Sequence, residues 1–234
     1  MKKLYSICGL RVCADFRFDT MITRSEKYIC DTGTVDFTMP SVPEYELERL
    51  MQTPGINAAS AENIYTADYF YTALLNFNGF MLHSSAVEID GKAYLFSAPS
   101  GTGKSTHTSQ WLKLFGDKAC IINDDKPAIR FVDGVPYAYG TPWSGKSDLN
   151  VNKGVPVQGI CVLERSANNF IEPLDEGTAV YSILNQTIRP RKREYMDNLL
   201  ALVDRVIAAV PVWRMGCNIS VEAAKMAYDA MSAK

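Results

Sequence analysis

The stretch Ala98-Pro99-Ser100-Gly101-Thr102-Gly103-Lys104-Ser105-Thr106 decides the fold. An apolar run, Ala93-Tyr94-Leu95-Phe96, precedes it, and a helix-forming run over residues 106–115 follows it. A glycine-rich loop between a strand and a helix is typical of a phosphate-binding loop of the Walker A type. The backbone N–H groups of such a loop can hold phosphate oxygens, and the following helix N-terminus adds a positive dipole end. The stretch therefore predicts a nucleotide-phosphate site.

Individual residues of this loop have separate expected tasks. Gly101 and Gly103 allow backbone conformations that other residues avoid. Lys104 can reach the β- and γ-phosphates of ATP, and the Ser105 hydroxyl can ligate Mg²⁺. Ala98 replaces the first glycine of the motif, and its methyl group is expected at the strand end, away from the phosphates. The predicted nucleotide-binding residues are Pro99, Ser100, Gly101, Thr102, Gly103, Lys104, Ser105 and Thr106.

Composition limits the remaining possibilities. The chain has 234 residues, of which 47% are hydrophobic and 21% are charged, so it can form a sizeable core. A net charge of −2 does not suggest non-specific nucleic-acid binding. No apolar run approaches the roughly 20 residues of a membrane span, and no signal peptide is expected at the N-terminus. The six cysteines contain no C-x-x-C pair, so we expect buried free thiols and a cytoplasmic protein.

The chain is expected to have two parts. Residues 1–80 form a β-rich accessory region, with strand candidates at 5–12 and 27–30, a short helix at 44–51 and an amphipathic helix within 61–80. The aromatic stripe of that last helix is most simply a core face. Residues 81–234 form the catalytic part. The sequence does not decide whether the chain self-associates into a homo-oligomer.

A tight hairpin is predicted immediately before the glycine-rich loop. Asp90-Gly91 separates two β runs, and this dipeptide is a strong signal for a two-residue turn. Such a turn makes the strand that enters the loop antiparallel to its predecessor. Ordinary P-loop proteins enter this loop from parallel βαβ units, so a different architecture is expected here. Asp133-Gly134 predicts a second hairpin of the same kind.

Two adjacent carboxylates follow the next predicted strand. Asp124 and Asp125 come after the apolar run at 118–122, about 20 residues beyond Ser105. One carboxylate can hold Mg²⁺, directly or through water, and the other can accept a proton from an attacking hydroxyl. Asp125 is the first choice for the base. The alternative is a capped turn before Lys126-Pro127 without any catalytic role.

Two further segments supply candidate substrate or phosphate contacts. The loop at 140–146 offers Trp143, which we expect to be exposed, and Lys146; it is equally well an ordinary connection. Asp148 and Asn150 follow this loop and can assist a metal. Arg189 begins the basic run at 189–193, which is a solvated helix start, a phosphate contact or a docking site for an acidic partner.

The remaining elements complete a mixed pattern. Strands are predicted at 157–163 and 211–215, and helices at 175–188, 192–210 and 221–231, the last with Ser220 as its N-cap. The expected fold class is therefore α/β, with a mixed and partly antiparallel sheet, a β-rich N-terminal region and C-terminal helices.

The ordered set Leu82-His83-Ser84-Ser85-Ala86-Val87, the glycine-rich loop and Asp124-Asp125 resembles the catalytic domain of the HPr serine kinase/phosphorylase family. The resemblance covers roughly residues 81–165 and implies the nucleotide-binding core of phosphoenolpyruvate carboxykinase. It implies that Lys104 and the loop hold the phosphates of ATP and that Ser105 holds Mg²⁺. It also implies that the Asp124/Asp125 pair supplies the general base and that His83 lies near the transferred phosphate. His83 is equally well a hydrogen-bonded histidine at the start of a strand, without a role in the reaction.

In that family a glutamate-containing glycine signature follows the aspartates, and this chain lacks it. Gly140-Thr141-Pro142-Trp143 stands there instead, so phosphorylase activity and HPr as the acceptor do not carry over. The expected function is a Mg-ATP-dependent kinase that transfers the γ-phosphoryl group to a hydroxyl of a protein, a peptide or a small metabolite. The alternatives are a non-catalytic ATP-binding regulatory module and a small carboxykinase-like metabolic enzyme.

Overall fold

A computed structural model describes residues 2–233. The helices are α1 (Asp19–Ser25), α2 (Glu44–Met51), α3 (Ala58–Leu74), α4 (Lys104–Phe115), α5 (Glu176–Leu184), α6 (Arg193–Ala209) and α7 (Val221–Ser232). The strands are β1 (Lys3–Ile7), β2 (Leu10–Ala14), β3 (Phe37–Thr38), β4 (Gly79–Met81), β5 (Ser84–Ile89), β6 (Lys92–Ser97), β7 (Ala119–Asn123), β8 (Ala128–Val132), β9 (Val135–Tyr139), β10 (Gly154–Arg165), β11 (Phe170–Pro173) and β12 (Val212–Cys217). No helix in this described part is both long and apolar enough to cross a lipid bilayer.

A nine-stranded mixed sheet forms the centre of the molecule. Its order is β4-β8-β9-β10-β6-β5-β7, and β12 pairs with β10 while β11 pairs with β12. The pairs β10–β6 and β10–β12 are parallel, whereas the other pairs in this sheet are antiparallel. This arrangement confirms the predicted α/β class with a mixed, partly antiparallel sheet.

The Asp90-Gly91 hairpin is confirmed. Ile89 pairs with Lys92 across the turn, and Asp90 and Gly91 have φ angles of 51° and 74°. Positive φ at both central residues is what the tight turn between twisted strands requires. The turn also explains why β6 runs antiparallel to β5. The second hairpin, at Asp133-Gly134, has the same form and joins β8 to β9.

Strand β5 determines which strand ends meet. It pairs antiparallel with β6 on one side and with β7 on the other, so β6 and β7 run in the same direction. Strand β10 is parallel to β6 and points the same way. The segments that follow β6, β7 and β10 therefore leave the sheet at one edge.

Helices cover both faces of this sheet, so its central strands are buried on both sides. In β6, Ala93 and Leu95 pack in a cluster with residues of α5 and α6. Tyr94 and Phe96, on the opposite face, pack in a cluster with residues of α4 and α7. This alternation is the two-residue period of an extended strand, and it makes the strand rigid where it enters the glycine-rich loop.

The N-terminal region differs from its prediction in two places. The expected strand at 5–12 is a hairpin, because Cys8 and Gly9 have φ angles of 54° and 74° and turn the chain between β1 and β2. The strand expected at 27–30 is wrong: residues 26–28 form a 3-10 turn that buries Tyr28. One hydrophobic cluster joins this region to Met81, Ala128 and Trp143, and the boundary near residue 80 stays a prediction.

Most predicted helices and strands are present with shifted ends. Helix α2 and strands β8 and β9 have the expected bounds, and Ser220 caps α7 by accepting a hydrogen bond from the Ala223 N–H. The helix expected at 175–188 ends at Leu184. In α3 the aromatic stripe is only partly a core face, because Phe70 is buried but Tyr69 is 37% exposed. The cysteines are free thiols, but Cys120 is exposed where burial was expected.

The prediction that Trp143 is exposed is wrong. Its side chain is fully buried and stacks on Phe70, with ring centroids 4.7 Å apart. The indole Nε1–H donates to the Thr66 hydroxyl at 3.1 Å. The reason is tertiary: α3 passes over the loop that follows β9 and covers the tryptophan. Trp143 therefore fixes the N-terminal region to this loop and has no surface left for a substrate.

Replacing Trp143 with alanine is expected to lower the free energy of unfolding by about 3–5 kcal/mol, because it removes a buried aromatic side chain. Urea unfolding of the wild type and the variant measures this difference. Tyr181, which is 70% exposed, provides the control, since Tyr181→Ala should change stability by less than about 0.5 kcal/mol. Equal effects of the two substitutions would contradict the described packing.

Candidate functional site

The glycine-rich loop and the aspartate pair lie at the same edge of the sheet. In the register of β5, Ser84 pairs with Ser97, the last residue of β6, and Ala86 pairs with Asn123, the last residue of β7. The loop follows Ser97 and the aspartates follow Asn123. Residues that are about 20 positions apart in sequence are thus placed side by side.

The loop, residues 98–106, has the backbone shape that its glycines allow. Gly101 and Gly103 have φ angles of 79° and 122°, and α4 begins directly after them. A Cβ on either glycine would meet no atom within 4 Å, so conformation rather than space requires glycine there. Ala98 is buried in the cluster on the α4 face, which explains why a methyl group is tolerated at this position.

Lys104 projects from the first turn of α4 and is buried. Its ammonium group donates to the carbonyl oxygens of Ala98, at 2.8 Å, and Pro99, at 3.4 Å. Burial lowers the pKa of Lys104, and the charges of Asp125 and Asp124 act in the opposite direction. The lysine and both carboxylates therefore form one electrostatically coupled group.

Asp124 is buried and connects three segments. Its carboxylate accepts hydrogen bonds from the hydroxyls of Ser85 in β5 and Ser147 in the loop after β9, both at 2.8 Å. The Ser85 hydroxyl also shares a 2.8 Å hydrogen bond with Thr108 of α4. Asp124 is thus linked through one serine to the helix that carries Lys104.

The side chain of Asp125, unlike that of Asp124, lines a pocket of about 370 Å³. His83 Nε2 lies 3.2 Å from Asp125 Oδ1, and the Lys126 ammonium donates to Oδ2. Burial alone would raise the pKa of Asp125, but His83 and Lys126 hold it at about 2. The carboxylate is therefore ionised over the physiological range and fixed in orientation by two donors.

Gln186 holds His83 from its other side. Its side-chain Oε1 lies 3.0 Å from His83 Nδ1, and its backbone oxygen accepts the His83 N–H at 2.7 Å. In this arrangement each ring nitrogen of His83 lies within hydrogen-bonding distance of an oxygen atom. Gln186 was not predicted as a site residue, because the sequence pattern predicts a helix as far as residue 188. In the structure α5 ends at Leu184, two residues before Gln186. The polar run Asn185-Gln186-Thr187 is the available signal.

Arg165 is a second residue near the site that the sequence patterns did not indicate, and it is a cation. It ends β10 and donates from Nη2 to the Gly101 carbonyl, at 2.5 Å, and from Nε to the Thr102 carbonyl, at 3.4 Å. A guanidinium group therefore lies directly against the glycine-rich loop. Only the parallel pairing of β10 with β6 places it there, and no local pattern marks it.

The other predicted contacts lie at different places. Lys146 is exposed, on a loop whose Gly145 lies beside the aspartates: a Cβ there would be 3.3 Å from Asp125 Cβ. Arg189 lines a separate groove on α2 and α3, so the expected phosphate contact from Arg189 is not supported. Asp148 and Asn150 bond to each other and to Ser144, and Asn150 also accepts from Tyr28, which gives them a structural role instead of the metal role expected.

These features define a class of protein: an α/β protein with a strand–glycine-rich loop–helix element and an aspartate pair at one sheet edge. The family model of SynChlorMet cassette protein ScmC matches residues 62–220, which include the loop, both aspartates and Gln186. The chain belongs to this family.

Comparison with other proteins adds little beyond the family. No curated protein matches the chain. Among solved structures, the HPr(Ser) kinase/phosphatase from Coxiella burnetii aligns with 64% of this chain and 95% of its own, at 14% identity and a TM-score of 0.34. A likeness at that level supports no conclusion about this chain, and the resemblance to HPr kinases stays a prediction.

Removing the Lys126 cation is expected to raise the pKa of Asp125. In Lys126→Met the burial of the carboxylate remains while one of its two partners is lost, so its pKa should rise from about 2 toward 3.8 or above. A pH titration of the Asp125 carboxyl carbon by NMR measures this shift. Lys146→Met, which removes a nearby exposed cation, should leave the titration unchanged; equal shifts in the two variants would contradict the described contact.

Proposed function

We propose that this chain is a Mg-ATP-dependent phosphotransferase that moves the γ-phosphoryl group of ATP to a hydroxyl acceptor. The observation that carries the proposal is the convergence of the glycine-rich loop, Lys104 and the aspartate pair at one edge of the sheet. A loop alone would support only nucleotide binding. A buried carboxylate, Asp124, and a pocket-lining one, Asp125, both within electrostatic influence of the lysine of that loop, supply the groups that phosphoryl transfer needs.

The loop and its two cations bind the polyphosphate in this proposal. The N–H groups at the start of α4 and the positive end of its dipole face the anion. Lys104 exchanges its bonds with the Ala98 and Pro99 carbonyls for phosphate oxygens. Arg165, already beside the loop, adds positive charge. These groups favour an anion that carries several charges.

The residues present fit Mg²⁺. Ser105 is exposed on the first turn of α4, and Asp124 and Asp125 follow β7, so the available donors are oxygens, which this ion prefers. Within residues 2–233 no group of three or more His, Cys, Asp or Glu side chains is arranged to hold a metal. Bound Mg²⁺ supplies positive charge that neutralises the phosphate oxygens.

Asp125 orients the acceptor and receives its proton. The acceptor oxygen forms a new bond to the γ-phosphorus as the bond from that phosphorus to the β–γ bridging oxygen breaks, and ADP leaves with the electron pair. The hydroxyl proton passes to Asp125. A carboxylate with a pKa of about 2 is a weak base, so its main contribution is position. That suffices for a loose transition state, in which catalysis comes mostly from placement and charge stabilisation.

Lys104→Ala is expected to weaken ATP binding about 10- to 100-fold, because it removes a charged donor to the phosphates. Isothermal titration calorimetry with ATP and Mg²⁺ measures the dissociation constants. The matched control is Lys113→Ala, since Lys113 is exposed in the last turn of the same helix. Equal ATP affinity in wild type and Lys104→Ala would overturn the nucleotide site.

Asp125→Asn is expected to retain ATP binding and to reduce phosphoryl transfer about 10²- to 10⁴-fold, because the amide lacks the negative charge and the second acceptor oxygen that hold the acceptor hydroxyl, and it cannot receive the proton. Transfer from γ-labelled ATP to serine peptides, hydroxy metabolites and water measures the rate. Full activity of this variant would remove Asp125 from the reaction. A wild type that binds ATP but transfers to none of these acceptors would instead be a non-catalytic ATP-binding module.

A further inference from the structure

A second and larger groove lies between the N-terminal helices and the segment that leads into α6. Its volume is about 930 Å³. One wall consists of residues from α2 and α3, and the other consists of residues 189–192 together with Tyr195 of α6. We name this feature the basic groove.

Charge in the basic groove is unbalanced. Its lining contains four cations, Arg49, Arg189, Arg191 and Lys192, against two carboxylates, Glu46 and Asp68. Glu46 is already paired with Arg49, at 2.6 Å. Asp68 lies within the electrostatic influence of Arg191 and Arg49. In the described part of the chain, Arg189, Arg191 and Lys192 form no ion pair within 4.0 Å, so this wall is open to negative charge.

The α2–α3 wall of the basic groove carries aromatic and apolar side chains beside Glu46, Arg49 and Asp68. Tyr65 and Tyr69 of α3 line it, and Tyr69 is 37% exposed and Ile64 42% exposed. On the side of residues 189–192, Tyr195 contributes another ring, with the Lys192 ammonium 5.9 Å from its centroid. A surface with an apolar wall facing a cationic wall suits a chain that alternates apolar and acidic side chains. The net charge of −2 gives the chain no general attraction for nucleic acid, so a peptide is the favoured occupant.

Neighbouring residues of one segment of chain line the Asp125 pocket and the basic groove. Asn185, Gln186 and Thr187 line the pocket, and residues 189–192 line the groove. An extended chain advances at most about 3.6 Å per residue, so Gln186 and Arg191 are no more than roughly 18 Å apart. A bound peptide of about five or six residues spans that distance.

We propose that the basic groove binds an acidic segment of a polypeptide acceptor and thereby directs a hydroxyl of the same polypeptide into the Asp125 pocket. This inference rests on the proposed function for the transfer step but not for the docking step. The acceptor has carboxylates about five or six residues from its reactive hydroxyl. Arg189 and Arg191 contact those carboxylates, and Tyr65 and Tyr69 contact the apolar residues between them.

The test uses fluorescein-labelled peptides that carry one serine with Glu-Leu-Glu roughly five residues away on each side, and matching peptides with Lys-Leu-Lys. Fluorescence anisotropy with the full chain measures binding without any need for turnover. Arg189→Glu/Arg191→Glu should weaken binding of the acidic peptide about tenfold, since each reversal replaces attraction with repulsion at an exposed site. The control is Arg193→Glu, which belongs to the same basic run but is 95% exposed and pairs with Asp197.

Each outcome bears on the proposal. Preferential binding of the acidic peptide that is lost in the double variant and kept in Arg193→Glu supports it. Equal binding of acidic and basic peptides, equal loss in the control, or stronger binding of a single-stranded oligonucleotide of similar length overturns it. If the acidic peptide binds as expected but Lys104→Ala leaves both ATP binding and transfer unchanged, the phosphotransferase assignment fails while the docking surface stands.

Discussion

The antiparallel position of β5 between β6 and β7 is the constraint on which the rest of the site depends. Because β5 pairs with both neighbours, the chain must leave β6 and β7 at the same sheet edge. The two-residue turn at Asp90-Gly91 leaves β6 no other pairing direction. In a parallel βαβ unit the same meeting of ends requires a crossover helix. Helix α4 makes that crossover here as well, and β5 is inserted between the two parallel strands β6 and β7.

Charge balance at this edge explains why the two aspartates differ. The carboxylate of Asp124 accepts hydrogen bonds from two hydroxyl groups and lies buried among β5, α4 and the loop after β9. Asp125 has a lysine and a histidine as partners and faces a solvent-accessible pocket. The chain turns directly after β7, where Asn123 Oδ1 accepts hydrogen bonds from the backbone N–H groups of Asp125 and Lys126. At this turn one carboxylate bonds to the framework and the other lines the pocket.

Features that depend on neighbouring residues could be predicted from the sequence, whereas side-chain contacts between distant segments could not. The Asp-Gly turns and the apolar run before Asp124 depend on nearby residues, and the structure has them where they were expected. Trp143 was misjudged because α3, some 70 residues earlier, covers it. Gln186 and Arg165 were missed for the same reason: each reaches the site through the tertiary path of its segment. The loop motif identified the edge of the sheet, but not the side chains that distant segments bring to it.

The bonds of Lys104 to its own loop have a consequence for selectivity. The ammonium group already donates hydrogen bonds to two carbonyl oxygens. A ligand that takes their place gains only the difference in hydrogen-bond strength. A neutral ligand offers oxygens no better than those carbonyls, and the exchange brings no net benefit. A phosphate offers full negative charge in a buried setting, where the difference is large. Under the proposed function, the loop would discriminate by ligand charge, because the ligand competes with the loop's own backbone.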